Sequence, residues 1–367
     1  MKFTIVRESL LRQLQLVTGV VERRQTLPVL SNLLVVAEGD QLSITGTDLE
    51  VELSATVSGV NVEQEGIATI PARKLGDIWK SLPEGADVSV SVSAEKASIK
   101  SGRSRFTLAT LPHADFPKVD GGEKESMLAL STADMKRLLD QVSFSMAQQD
   151  VRYFLNGMLL EIDKGHSRAV ATDGHRLAMC TISKGINDSE RLQSIIPRKG
   201  VTEIARLLDD NDIDLTLAIG PNHLRVNRGS YALTTKLVDG KFPDYEKVIP
   251  KDVTRTIVGD RETLKQGFSR ASILSNEKYR GVRLILDGEN LTIRANNPEQ
   301  EEAEESVSVV YDGDPMEIGF NVSYLLDILS VVKGETVQLS VSDANSSALI
   351  ESPADENSVY VVMPMRL

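Results

Sequence analysis

Of 367 residues only one is cysteine, Cys180, which excludes an intrachain disulfide and any cluster of thiolate metal ligands. A reducing cytoplasm suits such a chain. Histidine is scarce as well: His113, His166, His175 and His223 are scattered singly. No apolar run is long enough to span a bilayer. The start, Met1-Lys2-Phe3-Thr4-Ile5-Val6-Arg7, lacks the sustained apolar core of a signal peptide. There is no Gly-x-Ser-x-Gly elbow, no phosphate-cradling glycine loop and no His-Glu-x-x-His metal motif. Basic residues are outnumbered, 41 Lys and Arg against 53 Asp and Glu, so the formal net charge is −12. A chain this acidic does not wrap its whole surface around nucleic acid. What matters is where its basic residues sit.

The chain repeats itself. Leu75, Ile78, Trp79 and Leu82 are spaced as one stripe of an amphipathic helix; Val201, Ile204, Ala205 and Leu208 repeat that spacing, and so do Leu325, Ile328, Leu329 and Val332. An earlier helix is expected in each repeat. Ser9 opens one carrying Leu10, Leu14 and Val17. Ser131 and Asp134 resemble a capping box ahead of Met135, Leu138, Leu139 and Val142. Asp260 opens one carrying Leu264, Phe268 and Ala271. Between the helices, Val51-x-Leu53-x-Ala55-x-Val57, Val88-x-Val90-x-Val92, Leu215-x-Leu217-x-Ile219 and Val337-x-Leu339-x-Val341 alternate with polar residues, as strands with one packed face do. Thr47-Asp48 is echoed by Thr172-Asp173, Phe106-Thr107-Leu108 by Tyr231-Ala232-Leu233, and Phe116-Pro117 by Phe242-Pro243. The pattern predicts an α+β chain of three similar domains, 1–125, 126–252 and 253–367, with breaks near Asp120-Gly121-Gly122 and Pro250-Lys251-Asp252.

Basic residues recur on the helix faces opposite the apolar stripes: Lys74 and Lys80; Lys199 and Arg206; Arg7 and Arg12; Lys136 and Arg137; Arg261, Lys265 and Arg270. The Arg23-Arg24 pair follows the first helix. Any one of these suits a solvated helix face, but their recurrence in each repeat points to a surface that holds phosphates. Such contacts fix position without reading bases, and they weaken as salt rises. No zinc finger, recognition helix or basic stretch interleaved with aromatics is present, so base readout is not expected.

Several longer stretches resemble the bacterial β sliding clamp family. They are Thr172-Asp173-Gly174-His175-Arg176-Leu177, Asp239-Gly240-Lys241-Phe242-Pro243-Asp244-Tyr245, the run from Ser275 to Arg283, the run from Ala295 to Glu305, and the end from Tyr360 to Leu367. The likeness covers the whole chain. It implies a head-to-tail homodimer forming a six-domain ring, with sheets outside and helices lining a hole for double-stranded DNA, bound without sequence preference. It implies no catalytic residue, cofactor or metal, and a cytoplasmic place in DNA replication. It also implies a pocket for short linear motifs of replicative and repair polymerases, the clamp loader and repair proteins. That pocket would use Leu155, Thr172, Gly174, His175, Arg176, Leu177, Pro243, Val248, Val361, Met363, Pro364, Met365 and Arg366. An apolar, methionine-bearing groove suits varied ligands, such as a peptide with a Gln and a Leu-Phe end. The DNA set would be Arg24, Arg73, Lys74, Gln149, Tyr153, Phe154, Arg198, Lys199 and Arg206. The seam between subunits would pair Phe106 and Leu108 with Ile273 and Leu274. It would also set Arg103 and Arg105 against Glu299, Glu301, Glu302, Glu304 and Glu305, charges that steer association and register.

Two rival readings are weighed against this one. A hydrolase would start from Asp173 and His175 with Ser167 or Ser183 as nucleophile, but Asp173-Gly174 reads better as a tight turn. A passive interaction scaffold would keep the pocket and bind no DNA.

Overall fold

The computed structural model describes residues 1–22, 27–117, 125–186, 191–208 and 213–366. Among these, six α-helices carry the amphipathic stripes: α1 Arg7–Val20, α2 Ala72–Ser81, α3 Thr132–Val142, α4 Arg198–Leu207, α5 Arg261–Ser272 and α6 Val322–Val331. None of the helices is long and apolar enough to cross a membrane. Leu82, Leu208 and Val332 lie just past the ends of α2, α4 and α6, yet remain buried as the stripes require. Asp260 caps α5, its Oδ1 accepting the Thr263 amide at 2.7 Å. The first helix departs from expectation: it begins at Arg7, not beside Ser9, and no side chain caps it. Instead Arg7 Nε donates to the Trp79 carbonyl at 3.0 Å, so a contact with α2 sets its start.

The described chain forms two compact units, Met1–Ala133 with Lys199–Leu237, and Asp134–Arg198 with Val238–Leu367. The first holds a five-stranded and an eight-stranded antiparallel sheet; the second holds a nine-stranded and a four-stranded one. Each large sheet is two repeats joined edge to edge. In the first unit Tyr231–Lys236 pairs with Val51–Ser58, Leu233 facing Leu53. In the second unit Asp355–Val362 pairs with Arg176–Ile182, Tyr360 facing Ala178. The middle repeat therefore contributes to both units, and its two helices, α3 and α4, straddle the division. The first expected break, at Asp120-Gly121-Gly122, lies outside the described residues. The second, at Pro250-Lys251-Asp252, falls in an irregular stretch ahead of the strand Arg255–Asp260.

The cores follow the patterning except in α4, where the expected stripe residue Ala205 is exposed and Leu207 is buried in its stead. Leu10, Leu14, Val17 and Val20 of α1 are buried, and α1 packs on the strands Val51–Ser58 and Gln41–Thr47. Leu14 is fully enclosed, so cutting it to Ala would cost about 2–5 kcal/mol. In the second unit α5 lies on the strands Asn290–Asn296 and Glu302–Ser308. Gly267 permits that approach, since a Cβ there would sit 3.0 Å from Val307.

Candidate functional site

The turn after the strand Ser167–Thr172 builds the floor of a cleft. Thr172 Oγ1 donates to the Arg176 carbonyl at 2.6 Å and accepts the Gly174 amide at 3.1 Å. Asp173 Oδ1 accepts the amides of His175 and Arg176 at 2.9 and 3.0 Å. This closes the chain tightly enough that Gly174 sits at φ 89°, a region open to glycine at little cost. A Cβ there would meet the Arg152 guanidinium at 2.9 Å. The cleft holds about 170 Å³ and is lined by Arg152, Leu155, Thr172, Gly174, His175, Arg176, Leu177, Pro243, Val248, Val361 and Met363. At its rim, Val248 and Met363 are 42% and 43% exposed, apolar surface that a ligand could cover.

Most of the expected pocket residues converge here, though Pro364, Met365 and Arg366 are not among its lining. The Met365 amide instead donates to the Gly319 carbonyl at 2.8 Å, and the Met363 amide to that of His175 at 2.8 Å, so the tail is stitched down on both sides of Pro364. Arg152 was not anticipated. It is held by Asp150, which accepts from Nε and Nη2 at 3.0 and 2.9 Å, and Arg152 keeps that carboxyl at about 2. The Asp150-x-Arg152 spacing was the only sequence signal, and it does not say where the arginine points.

Arg176 is more anchored than the sequence implied. Its guanidinium bonds Asp173 at 3.1 Å, Asp327 at 2.5 Å and the Phe144 carbonyl at 2.8 Å. It also stacks 4.5 Å from the Tyr324 ring centre and 5.3 Å from that of Phe144. Its charge is met on all sides, so it offers the cleft a fixed planar face.

One wall of the cleft, Pro243 to Val248, is pinned from below. Tyr245 is buried, its hydroxyl donating to Glu161 at 2.9 Å and accepting from Arg168 at 2.9 Å. Gln193 and Arg191 hold the other Glu161 oxygen at 2.8 and 2.5 Å. Burial alone would push the Glu161 carboxyl up, but the bonds from Gln193, Arg191 and Tyr245 outweigh it and hold it below its ordinary value. Burial pushes the Tyr245 hydroxyl up.

The expected DNA set divides. Arg24 lies outside the described residues. Arg73 and Lys74 are exposed on α2, with no ion pair among the described residues. Three other cations are engaged within the protein. Arg198, half-buried, donates to the carbonyls of Met146 and Ala147 at 2.7 and 3.4 Å, and burial lowers its pKa. Lys199 pairs with Asp48 and, at 2.6 Å, with Glu22. Burial disfavours its charge, but those two carboxylates overcome that and raise its pKa. Arg206 pairs with Glu203 at 3.0 Å and lies against Gly19. With Gln15, Thr18, Arg73, Asp77 and Lys80 it borders a polar groove of about 490 Å³ on α1 and α2. Gln149, at φ 55°, stands on the loop before the turn Tyr153–Asn156, and Tyr153, 58% exposed, opens that turn. Phe154 packs against the core cluster under the cleft, and its ring meets that of Tyr153 edge-on at 5.8 Å.

The expected seam residues occupy two sheet edges. Arg105, Phe106 and Leu108 lie on Ser104–Ala109, the outermost strand of the five-stranded sheet, with Arg103 in the turn before it. Glu302, Glu304 and Glu305 lie on Glu302–Ser308, the outermost strand of the four-stranded sheet. Ile273, just past α5, is 75% exposed, and Leu274 is half-buried. The acids are not all free: Glu305 takes a two-pronged bond from Arg270 at 2.9 and 2.8 Å, Glu304 pairs with Arg294 at 2.5 Å, and Glu301 with Asn297 at 2.6 Å. Glu299 stands exposed in the loop between.

Three similar α+β repeats joined strand to strand make the architecture that of a DNA clamp. Family models of the DNA polymerase III beta subunit match the chain with their N-terminal domain at residues 1–120, central domain at 129–244 and C-terminal domain at 246–366. The chain is 57% identical over 367 residues to the beta sliding clamp of Pseudomonas putida, with all of both chains covered. It is 51% identical over 370 residues to that of Escherichia coli, again with all of both chains covered. It matches the solved DNA polymerase III subunit beta of Pseudomonas aeruginosa with a TM-score of 0.97 at 56% identity, and pol III beta of Caulobacter crescentus with 0.94 at 39%, each over 100% of both chains. A P. aeruginosa sliding clamp solved with griselimycin bound matches at 0.97 and 56%, over the same full extent. The chain belongs to the DNA polymerase III beta subunit family.

Proposed function

We propose that this protein is a DNA sliding clamp that closes as a homodimer around duplex DNA and tethers polymerases, the clamp loader and repair proteins through the cleft at Gly174. The observation that carries the ring is a pair of unmatched edges. Ser104–Ala109 corresponds by repeat to Tyr231–Lys236 and Asp355–Val362, both of which are paired with a neighbouring repeat. Glu302–Ser308 corresponds to their partners, Val51–Ser58 and Arg176–Ile182. The two left over are the complementary halves of a third joint, which a second copy would complete at both ends. Phe106, Leu108, Ile273 and Leu274 would form its apolar centre; Arg103 and Arg105 would meet Glu299, Glu302 and Glu305.

The three repeats are read as domains 1–125, 126–252 and 253–367, working in the bacterial cytoplasm. Of the expected phosphate contacts, Arg73, Arg206, Tyr153 and Gln149 keep that role best among the described residues; Arg24 lies outside them. Arg198 and Lys199 are assigned to holding the fold. Pocket residues Leu155, Leu177, Val248, Val361 and Met363 would take apolar side chains of a short peptide, and Gly174, His175 and Arg176 its backbone and polar end. A catalytic reading has little support: Asp173 is taken up by the turn and by Arg176, and Ser167 is buried and donates to the Lys184 carbonyl at 2.7 Å.

The test is retention on nicked circular against linear DNA. A clamp stays on the circle until it is cut, whereas equal loss from both forms would favour a scaffold that binds no DNA.

A further inference from the structure

The turn beneath the cleft exists twice. Thr47 Oγ1 donates to the Val51 carbonyl at 2.9 Å and accepts the Leu49 amide at 3.0 Å. Asp48 Oδ1 accepts the amides of Glu50 and Val51 at 3.0 and 2.8 Å. These are the four bonds of Thr172, Asp173 and Gly174, one for one. A fifth also recurs: the Lys236 amide donates to the Glu50 carbonyl at 2.9 Å, as Met363 does to His175 at 2.8 Å. Both turns hold their third residue at positive φ, 89° at Gly174 and 78° at Leu49.

Glycine takes that conformation at little cost, whereas a leucine held there is strained by roughly 1–2 kcal/mol. The side chain explains why the strain persists. Leu49 is half-buried and packs on the cluster of Val29, Leu30 and Phe116. The counterparts of those three in the next repeat are Phe154, Leu155 and Phe242. Leu155 lines the open cleft. Phe154 and Phe242 belong to the cluster beneath it, together with the lining residues Leu177 and Val361.

We infer that the first repeat contains a second, closed copy of the peptide cleft, with the Leu49 side chain as its permanent occupant. The inference rests on reading the Gly174 cleft as the peptide site. Glycine at 174 is then what leaves one copy open, and leucine at 49 is what limits each chain to a single site. The occupant has the chemistry the open cleft would accept, an apolar side chain presented from a turn. The closed copy is also less apolar around its rim: Glu50, Glu52 and Lys236 stand where the open one has His175, Leu177 and Met363. Even when emptied it would bind a peptide more weakly.

The test uses the full-length protein and a synthetic peptide, acetyl-Gln-Ala-Ala-Leu-Phe, with a photoreactive group on its last ring. Wild type should take up about one peptide per chain, labelled near Leu155 or Met363. Leu49→Gly relieves the strained φ and empties the closed copy. It should take up about two, the second roughly tenfold weaker or more, with new labelling near Val29 or Phe116. Leu49→Ala keeps the Cβ and frees less space, so its second site should be weaker still; it carries the test if the glycine variant does not fold. One peptide per chain in wild type and both variants, with no label near Val29 or Phe116, overturns the inference alone. Two sites already present in wild type would overturn it as well. No binding to wild type overturns the peptide-site reading and the inference with it.

Discussion

Arg176, on the strand Arg176–Ile182, reaches Asp327 on α6 at 2.5 Å while its guanidinium lies over the Tyr324 ring of the same helix. One side chain thus ties the floor of the cleft to the helix beside it and presents a fixed plane to whatever enters.

That arrangement predicts unequal costs at its two ends. Asp327 is 47% exposed at its side chain, so Asp327→Ala should lower unfolding free energy by about 0.5–1 kcal/mol. Arg176→Ala removes the stacking and leaves Asp173 without its guanidinium partner, and should cost about 2–4 kcal/mol and weaken peptide binding. Denaturant midpoints with peptide titration decide this; equal, small effects would show that Arg176 does not anchor the floor.

At the seam, stability and assembly should separate. Ile273 is 75% exposed in the single chain, so Ile273→Ala should change the chain's own stability by no more than about 0.5 kcal/mol. It should weaken dimerisation by about 1–3 kcal/mol. Sedimentation at falling concentration reads the second quantity, and a dimer that persists as well as wild type would place the seam elsewhere.

The Glu161 and Tyr245 pair makes a pH prediction. Glu161 is held below its ordinary 4.5 in the folded protein. Its stabilisation is therefore complete above that value and is lost as the pH falls through the lowered one. Tyr245→Phe removes one donor to the carboxylate, at about 1–3 kcal/mol. Its folded pKa should rise, and acid unfolding should begin at a higher pH than in wild type. Peptide affinity should fall too, because the Pro243 and Val248 wall loses its pin. An acid transition at wild-type pH would show that the hydroxyl bears little on Glu161.

The two classes of cation should differ in salt titrations of DNA binding. Arg73→Ala should reduce the slope of log affinity against log salt by about one. Lys199→Ala should leave the slope unchanged but destabilise the fold, since Asp48 has only 4% of its side chain exposed and would lose its partner. A slope change at Lys199 equal to that at Arg73 would return it to the phosphate surface.

Deleting Met363 through Leu367 removes the rim residue Met363 and both amide bonds that stitch the tail, to His175 and to Gly319. Peptide affinity should drop at least tenfold while the dimer keeps its mass; undiminished affinity in a calorimetric titration would mean the tail does not form the rim.

Much of this protein is set by local pattern. Helix stripes of period 3.6 and strands of period 2 are properties of neighbouring residues, so the three repeats and most of each helix's buried face could be read from the chain alone, Ala205 of α4 being the exception. The same holds for the turn at Thr172-Asp173-Gly174, whose bonds span four residues. Family likeness then assembled the cleft residues, which lie far apart in sequence. The basic residues were less legible. Lys74 and Lys199 look alike in the sequence, yet Lys199 meets Asp48 and Glu22 while Lys74 has no ion pair among the described residues. Arg152 and Leu49 were silent for a related reason: what each side chain fills is decided by segments brought in from elsewhere. Charge and period belong to the sequence, whereas whether a charge is already matched, or a turn's side chain fills a cleft or leaves it open, depends on distances that only the folded chain sets.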